Sequence, residues 1–500
     1  MNEPVFLGLD VGTSGVKATF VSPAGEVVAS ATSALGICTP RAGWSEQHPE
    51  DWWSATLESI RALRAQRPAA TVESVGISGQ MHSSVFLDRA GQVIRPAILW
   101  SDGRTTAECA EITRRVGGEA RLRDLVANPA LEGFTLPKIL WLRNHEPDAF
   151  ARLATVVLPK DYIRYKLTGA LATEPSDASA TLMYDTADRR WSDEMLAAVD
   201  LARTLVPEVG ESAEVLGRVT ADAASIAGLA GGTPVVGGGA DNACGAAGVG
   251  ALCAGDVVAS WGTSGTVLAP MMEPRVDPML RAHTFCHVVP GMWYMMGVVL
   301  SAGAAFAWYR DRLVAAGEDD ATRALNEEAA TVPRGAEGVT FLPYLQGERT
   351  PHRDASLRGA LLGLSLAHTR AHVSRAVLEG ICFALRDSLT ILQDVGVSPR
   401  ELLLTGGGAR SPFVRRLQAE VFGLPVTSVN REEGPAYGAA LLAAVGVGAF
   451  ASLADAASAT LMRAAPELPA PAAHREYDEP YRRFRASYVA ARATSISGAS

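Results

Sequence analysis

The chain has 500 residues, of which 48% are hydrophobic and 20% charged, with 48 glycines and 28 prolines. This composition is that of a globular protein and excludes collagen-like, disordered and small disulfide-scaffold chains; the length predicts two large domains or three smaller ones. The 45 basic and 54 acidic residues give a net charge of −9 without any Lys/Arg block, which argues against binding to nucleic acid or to an anionic membrane.

The cysteines and the apolar segments bear on the cellular compartment. Six scattered cysteines form no C-x-x-C pair, and the M-N-E-P start followed by Asp10 lacks the pattern of a secretory signal. Residues 291–309 and 434–453 are uncharged and long enough to span a bilayer, but glycines and small polar residues interrupt both. We therefore expect a cytoplasmic protein with reduced thiols, a buried strand–turn–helix at 291–309 and a buried helix at 434–453.

A short turn occurs twice in the same setting. Two apolar runs flank D-V-G-T-S-G (10–15), and two more flank W-G-T-S-G (261–265), a pattern that predicts a pair of strands around each turn. The segments GTSGVKATF and GTSGTVLAP begin at Gly12 and Gly262. One copy alone is weak evidence, but two copies near the start of each half indicate an internal duplication.

The remaining elements alternate between strands and helices. The stretch 231–250 is rich enough in Gly and Ala for a linker, although its Asp241-Asn242 pair argues for a more specific role. The alternation predicts an α/β fold with two lobes, residues 1–248 and 249–500. Hairpin turns are predicted at 25–28 and 90–93, helices at 51–64, 148–167, 372–392, 412–422 and 476–493, and a buried strand at 402–404.

The repeated turns have the chemistry of a phosphate site. Gly, Thr and Ser bring backbone N–H groups and hydroxyls together without bulky side chains, although a plain hairpin turn explains either copy alone. A third glycine-rich loop, G-G-G-A-R (406–410), follows the strand at 402–404. The three loops together indicate a nucleotide held between two lobes. None is a P-loop, and Ser411 weakens a dinucleotide-binding interpretation.

Two longer segments make the sequence recognisable. GFTLPKILWLRNH (133–145) and GALLGLSLAHTRAHVSRAVLE (359–379) resemble the signatures of the FGGY carbohydrate kinases. This resemblance implies the two-lobed actin/hexokinase-like fold, built from duplicated ribonuclease H-like units, with ATP, Mg²⁺ and a sugar meeting in the interdomain cleft. The motifs GQMH (79–82), ILWSDGR (98–104), LPKDY (158–162), HTFCH (283–287) and LPYLQGERTPH (342–352) are most similar to those of members that phosphorylate D-xylulose.

The resemblance also implies roles for individual residues. Asp241 would be the general base that takes the proton of the attacking sugar hydroxyl, and Asp10 would help to hold Mg²⁺, in part through water. The other implied contacts are Met81, His82, Asn242, Trp100, Asp102 and Arg104 with the sugar, Gly12, Thr13, Ser14, Gly262, Thr263 and Ser264 with the phosphates, and Gly407, Gly408 and Ala409 with adenosine.

Two departures from the family pattern concern the sugar. Ser83 and Ala240 stand where glycine is usual, and both adjoin residues implied in sugar binding. FGGY gluconokinases also carry Met-His-Ser, so gluconate, or another ketose or polyol, is the rival substrate. Two further alternatives are an actin-like or chaperone-like ATPase that binds a protein partner and, on the loop at 406 alone, a nicotinamide dehydrogenase.

The histidine-containing motifs also allow a zinc interpretation. H-T-F-C-H (283–287) and the pair His368/His372 could be read as metal ligands, but neither has acidic or cysteine partners at ligand spacing. A symmetric homodimer is the default expectation for the oligomeric state.

Overall fold

Each half of the chain forms a mixed β-sheet flanked by helices in a computed structural model, which describes residues 3–314, 320–431 and 434–494. The strands of the first half are β1 (Glu3–Val11), β2 (Gly15–Val21), β3 (Val27–Ala34), β4 (Glu46–Gln47), β5 (Ala70–Gly79), β6 (Val85–Leu87), β7 (Ala97–Ile98), β8 (Thr155–Val157), β9 (Ala172–Thr173), β10 (Tyr184–Asp185), β11 (Arg190–Trp191), β12 (Glu208–Val209), β13 (Val215–Arg218), β14 (Pro234–Val236) and β15 (Gly239–Ala240). Its helices are α1 (Pro49–Gln66), α2 (Thr106–Val116), α3 (Glu119–Val126), α4 (Thr135–His145), α5 (Pro147–Arg152), α6 (Pro159–Thr168), α7 (Pro175–Ala178), α8 (Asp193–Ala198), α9 (Ala221–Ala227) and α10 (Asp241–Gly248).

The second half has fewer strands and longer helices. Its strands are β16 (Asp256–Trp261), β17 (Gly265–Met271), β18 (His283–Cys286), β19 (Trp293–Val299), β20 (Thr340–Leu342), β21 (Ala360–Leu362), β22 (Glu401–Gly406) and β23 (Val426–Thr427). Its helices are α11 (Gly303–Trp308), α12 (Ala321–Thr331), α13 (Arg370–Asp394), α14 (Pro412–Phe422), α15 (Pro435–Gly446), α16 (Leu453–Thr460), α17 (Pro471–Glu476) and α18 (Asp478–Thr494).

The two main sheets share one strand order, which confirms the duplication predicted from the repeated turn. The first sheet runs β13-β14-β5-β1-β2-β3, and the second, written in the same direction, runs β23-β22-β16-β17-β19-β18. Strands β14-β5-β1-β2-β3 of the first sheet correspond in order to β23-β22-β16-β17-β19 of the second. In each, an antiparallel set (β1, β2, β3 or β16, β17, β19) is extended by a parallel strand, β5 or β22. The two short turns lie at equivalent places, because β1 meets β2 at Val11 and Val16 and β16 meets β17 at Trp261 and Gly265.

The sheets and helices stack in layers, from α1 and α6 through the first sheet, α10 with α15, and the second sheet to α13 and α14. Alternate residues of β1 face opposite layers, as the period of a strand requires. Leu7 and Leu9 pack toward α1, whereas Phe6 belongs to the central cluster with residues of α10 and α15. Asp10 lies on the same side of β1 as Phe6 and therefore points toward the space between the sheets.

At three glycines, the backbone of helix α15 and the backbone of a neighbouring element approach each other with no side chain between them. A Cβ at Gly8 of β1 would lie 1.9 Å from the carbonyl oxygen of Ala436, and one at Gly76 of β5 would lie 1.9 Å from that of Ala439. On its opposite side, a Cβ at Gly438 would lie 1.9 Å from the carbonyl oxygen of Cys244 in α10. These glycines set the spacing of the first sheet, α15 and α10.

Most predicted elements are present. Residues 51–64, 372–392 and 412–422 lie in α1, α13 and α14, and α18 accounts for almost all of 476–493. The continuous helix predicted over 148–167 is wrong, because Thr155–Val157 pairs with β6 and Pro159 opens a new helix at α6. A residue that precedes proline disfavours helical geometry, and Leu158 is extended.

The segments that resembled membrane spans or a linker are ordinary parts of the fold. Residues 291–309 contain β19, a turn and α11, residues 434–453 contain α15, and the stretch 231–250 holds β14, β15 and α10. No helix in the described ranges is both long and apolar enough to cross a bilayer. All six cysteines are unpaired; Cys38 and Cys253 are exposed and the others buried. The lobe boundary at 248/249 stays a prediction.

Substitution of Gly438 by alanine tests the central packing. Alanine favours a helix by about 1 kcal/mol over glycine, but its Cβ would overlap the Cys244 carbonyl, and overpacking of this kind costs about 1–3 kcal/mol. We therefore expect Gly438→Ala to lower the free energy of unfolding in denaturant titrations. Gly231→Ala is the control, since a Cβ there meets no atom within 4 Å; equal stability of the two variants would contradict this packing.

Candidate active site

The carboxyl ends of adjacent parallel strands bring the two predicted acids close together. Ser78 of β5 pairs with Asp10 of β1 on one side and with Gly239 of β15 on the other. Strand β15 ends at Ala240, and α10 begins immediately with Asp241. Asp10 and Asp241 thus lie at neighbouring strand ends beside the first short turn.

Asp241 is held by one of its two carboxylate oxygens. Its Oδ1 accepts hydrogen bonds from the backbone N–H of Asn242 (2.7 Å) and from Asn242 Nδ2 (2.8 Å), and no described group hydrogen-bonds to Oδ2. Burial and the negative charge of Asp10 raise the pKa of Asp241 to about 7, against the Asn242 hydrogen bonds. An oriented carboxylate with one open oxygen and a near-neutral pKa is suited to accept a proton.

Asp10 offers a buried oxygen to a cation. Burial raises its pKa to about 6 despite the opposing charge of Lys17, and its Oδ1 is buried without a hydrogen-bond partner. Mg²⁺ prefers carboxylate oxygen and usually binds one or two carboxylates together with phosphates and water. The residues therefore fit a metal that is shared with phosphates; within the described ranges, no group of three or more His, Cys, Asp or Glu could hold a metal ion by itself.

His82 is fixed as a neutral hydrogen-bond acceptor. Its Nδ1 lies 2.6 Å from the Ala180 carbonyl, which identifies Nδ1 as the protonated nitrogen, and burial lowers its pKa to about 3. Nε2 is therefore an acceptor. The backbone has a left-handed φ of 68°, and the His82 carbonyl accepts from Thr135 Oγ1 (3.0 Å) and Lys138 Nζ (3.1 Å). These contacts hold a conformation that a non-glycine residue rarely adopts.

Met81 joins the GQMH segment (79–82) to α10 and to the second lobe. Its Sδ lies 3.6 Å from Asn242 Nδ2 and 3.9 Å from the hydroxyl of Tyr294 in β19. The structure therefore brings Met81, Asn242 and Asp241 together. Tyr294 is an additional site residue that no sequence motif indicated.

Trp100 contacts the first turn directly. Its indole Nε1 donates to the Thr13 hydroxyl (2.9 Å), and that hydroxyl donates to Gln80 Oε1 (3.1 Å). Ser14, the next residue of the turn, is exposed. We call residues 79–83 together with Trp100, several of which are predicted to contact the sugar, the sugar segment. Hydrogen bonds thus join the sugar segment to the first turn. Gln80 stands inside the GQMH motif, but no role is predicted for it from that motif.

Asp102 and Arg104 are not free to face a sugar. Asp102 accepts from the backbone N–H of Ser45 and from the backbone and guanidinium of Arg104 at 2.6–2.9 Å. Arg104 also pairs with Glu46 (2.7 Å), and its guanidinium lies 3.6 Å from the Trp44 ring centroid. Because their polar groups bind each other and neighbouring loops, we assign both residues to positioning the loop that carries Trp100.

The second lobe holds a large cavity behind the second turn. The Gly262 carbonyl accepts from the N–H of Gly303 (2.8 Å) and the Thr263 carbonyl from Ala304 (3.0 Å), which orients the turn toward α11. The cavity of about 1240 Å³ is large enough for a nucleoside. Its walls include Trp261, Gly262, Thr263, Asn326, Gly407 and Gly408.

Two of the three residues predicted to contact adenosine line this cavity. Gly407 and Gly408 line it, whereas Ala409 is not part of its wall. Asn326 is a lining residue that no motif indicated, and its Nδ2 donates to Ser411 Oγ at 3.2 Å. In the second turn, Thr263 is exposed and lines the cavity, whereas Ser264 is half-buried and is not part of the cavity wall.

The histidine motif is part of the core. His283 Nδ1 lies 3.0 Å from Asn128 Oδ1, and the His283 ring stacks on Phe285 with centroids 5.7 Å apart. His287 Nδ1 accepts from the backbone N–H of Val289 at 3.1 Å. The contact with Asn128 ties β18 to the first lobe.

Comparison with known proteins gives a consistent picture. Residues 5–248 match the N-terminal domain and residues 257–447 the C-terminal domain of the FGGY family of carbohydrate kinases. The xylulose kinase of Bacillus subtilis is 40% identical over 92% of this chain and 91% of its own. A solved "xyloylose kinase" from Brucella ovis has a TM-score of 0.90 at 38% identity (98% and 99% covered), and a gluconate kinase from Lactobacillus acidophilus has 0.93 at 25% (99% of both).

The pKa of Asp241 predicts a pH-dependent effect on stability. An acid whose folded pKa is raised contributes stability at low pH, and the contribution is lost as pH rises from 3.8 through about 7. We therefore expect Asp241→Asn to raise the melting temperature of the ligand-free protein by about 1–3 °C at pH 8 and by less at pH 5. Asp193→Asn, at the exposed start of α8, is the control; an equal gain at both pH values would contradict the raised pKa.

Proposed function

Because the chain belongs to the FGGY family of carbohydrate kinases, we propose that it transfers the γ-phosphoryl group of ATP to D-xylulose, giving D-xylulose 5-phosphate and ADP. The observation that carries this proposal is the position of Asp241. Its carboxylate is held through one oxygen by Asn242, and it lies near Met81 and next to the first short turn. The name of the Bacillus subtilis relative, with 40% identity over nearly the whole chain, supports xylulose as the acceptor.

Asp241 is the general base in this proposal. Asn242 holds Oδ1, and Oδ2 accepts the proton of the attacking sugar hydroxyl. The new oxygen–phosphorus bond forms as the bond from the γ-phosphorus to the bridging oxygen breaks, and ADP leaves with that electron pair. Phosphoryl transfer depends more on alignment of the reactants than on a strong base. A carboxylate that orients the sugar hydroxyl and accepts its proton late in the transfer is therefore sufficient for this reaction.

The sugar is bound by acceptors and donors of fixed orientation. The unprotonated Nε2 of His82 accepts a hydrogen bond from one hydroxyl, and Asn242 Oδ1 is available for another because its Nδ2 is used on Asp241. Met81 and Trp100 supply apolar surface beside them. Rigid placement of these groups lowers the entropic cost of aligning the acceptor.

The phosphates of ATP lie between the two short turns in this proposal. Gly12, Thr13 and Ser14 approach them from the first lobe, Gly262, Thr263 and Ser264 from the second, and Gly407 and Gly408 border the adenosine cavity. Asp10, whose Oδ1 is unpartnered, would help to hold Mg²⁺, directly or through water. When bound, the metal neutralises phosphate charge as the bond to ADP breaks.

The two departures from the family pattern do not add polar groups to the sugar site. Ser83 is fully buried, and its hydroxyl is used by Gln80 and by the backbone of Trp100. Ala240 is fully buried, and its N–H donates to Ser176 Oγ (2.9 Å). Neither residue provides a cation for the carboxylate of gluconate, and the Bacillus subtilis relative carries the name xylulose kinase, so we propose xylulose over gluconate. Six unpaired thiols support a cytoplasmic location, and a homodimer stays a prediction.

A substrate panel tests the acceptor. ADP release from MgATP is measured with D-xylulose, other ketoses, polyols and gluconate at equal concentrations. We expect kcat/KM for D-xylulose to exceed that of every other acceptor by about tenfold or more, because each misplaced hydroxyl leaves a buried polar group unpaired. A larger kcat/KM for gluconate would replace xylulose as the proposed substrate.

Removal of the carboxylate tests the base. Asp241→Ala should lower sugar-dependent kcat by at least about a hundredfold, since it removes both proton acceptance and hydroxyl alignment. Nucleotide affinity, measured by calorimetry with ADP, should change little because the adenosine cavity lies in the other lobe. Asp193→Ala replaces the first residue of another helix and should retain activity. Turnover retained in Asp241→Ala would refute the assignment.

A further inference from the structure

The Thr13 hydroxyl is already occupied by protein groups. It donates its proton to Gln80 Oε1 (3.1 Å) and accepts from Trp100 Nε1 (2.9 Å). A hydroxyl has one proton to donate, so this one cannot also donate to a phosphate oxygen. The side chain of Thr13 therefore ties the first turn to the sugar segment.

Ser83 closes this arrangement into a ring. Its Oγ donates to Gln80 Oε1 (3.2 Å), the same oxygen that accepts from Thr13, and accepts from the backbone N–H of Trp100 (3.1 Å). Four hydrogen bonds thus run from the Trp100 backbone through Ser83, Gln80 and Thr13 to the Trp100 indole. Ser83 is fully buried and Gln80 is 2% exposed, so the hydrogen bond between them is shielded from water, whereas Thr13 and Trp100 are half-buried.

A second set of bonds holds the backbone of the same residue. Gln80 Nε2 donates to Gln47 Oε1 (3.3 Å), and Gln47 Nε2 donates to the Thr13 carbonyl (2.7 Å). The indole of Trp52 donates to the same Gln47 oxygen (2.9 Å), which fixes the orientation of the amide. Gln80 therefore connects to both the hydroxyl and the carbonyl of Thr13.

We propose that Ser83 and Gln80 are positioning residues that hold the first phosphate turn in register with the sugar segment, and that the Thr13 hydroxyl serves this ring rather than donating to ATP. The proposal rests on the proposed kinase function and deepens it. The turn then meets the phosphates through its backbone and through exposed Ser14. Because the ring links Trp100 to Thr13, the position of Trp100 beside the sugar helps to determine the position of the turn that aligns the γ-phosphate.

The substitution Ser83→Ala opens the ring without adding volume. It removes the partner of the Trp100 N–H and one donor to Gln80, losses that correspond to a fall in kcat of about 5- to 30-fold. KM for the sugar and for ATP should each change by less than about threefold, because the groups that bind them remain. An unchanged kcat, or a loss confined to the sugar KM, would overturn the proposal.

The adjacent serine provides a matched control. Ser84 is also fully buried, but its hydroxyl makes only a long contact to the His82 carbonyl (3.5 Å) among the described groups. Ser84→Ala should keep kcat within about twofold of the parent chain. An equal loss in both variants would mean that any buried serine here supports only folding.

A double-mutant cycle with Thr13→Val tests whether the ring acts as one unit. If it does, Ser83→Ala/Thr13→Val has a kcat no lower than about half that of the slower single variant. If the Thr13 hydroxyl donates to phosphate independently, the two losses multiply, and the proposal fails. Ser83→Gly, which needs no space, replaces Ser83→Ala in the same cycle if the latter does not fold.

The same data separate this proposal from the function on which it rests. The rate of the parent chain with D-xylulose reports the proposed function. The ratio of variant to parent rates, taken with whichever sugar the panel finds active, reports the role of the ring. A parent chain inactive on D-xylulose but active on another acceptor therefore leaves the Ser83 test intact.

Discussion

The close spacing of the first sheet, helix α15 and helix α10 is the constraint on which the site depends. Gly8 and Gly76 let α15 approach β1 and β5 until carbonyl oxygens fill the space of absent side chains, and Gly438 does the same toward α10. Because β1, β5 and α10 carry Asp10, Gln80 and Asp241 at their ends, this packing also fixes the distances among the functional groups. Close packing transmits small displacements, so added volume at these glycines would misalign the site as well as strain the core.

The site gains its chemistry from an electrostatic conflict. Burial is the main cause of the raised pKa values of Asp10 and Asp241, about 6 and about 7; the charge of Asp10 raises that of Asp241 further, whereas Lys17 opposes the shift of Asp10. A fold optimised for stability would not keep two such acids together. A base that titrates near neutral pH and an unpartnered carboxylate oxygen beside the phosphate turn are useful for phosphoryl transfer, and the protein retains them at a cost in stability.

Local sequence patterns were sufficient for much of this account. The repeated turns at Gly12 and Gly262 predicted the duplicated sheets, and the Asp241-Asn242 pair argued against a linker at the place where α10 begins. Periodicity failed at 148–167, where pairing of β8 with a distant strand overrides a helical pattern. The contacts of Asp102 with Ser45 and of Arg104 with Glu46, and the roles of Gln80 and Tyr294, escaped prediction for a related reason. Their bonds join segments far apart in the chain, as with Thr13 and Trp100, and no local motif records such partners.

The central claim is that Asp241 receives the proton of the sugar hydroxyl that attacks ATP across the cleft. Its most direct test is a crystal structure with D-xylulose, Mg²⁺ and a non-hydrolysable ATP analogue. The account predicts the C5 hydroxyl within about 3.2 Å of Asp241 Oδ2 and in line with the γ-phosphorus. A bound sugar whose C5 hydroxyl faces another side chain, with Asp241 turned away from the γ-phosphate, would contradict it.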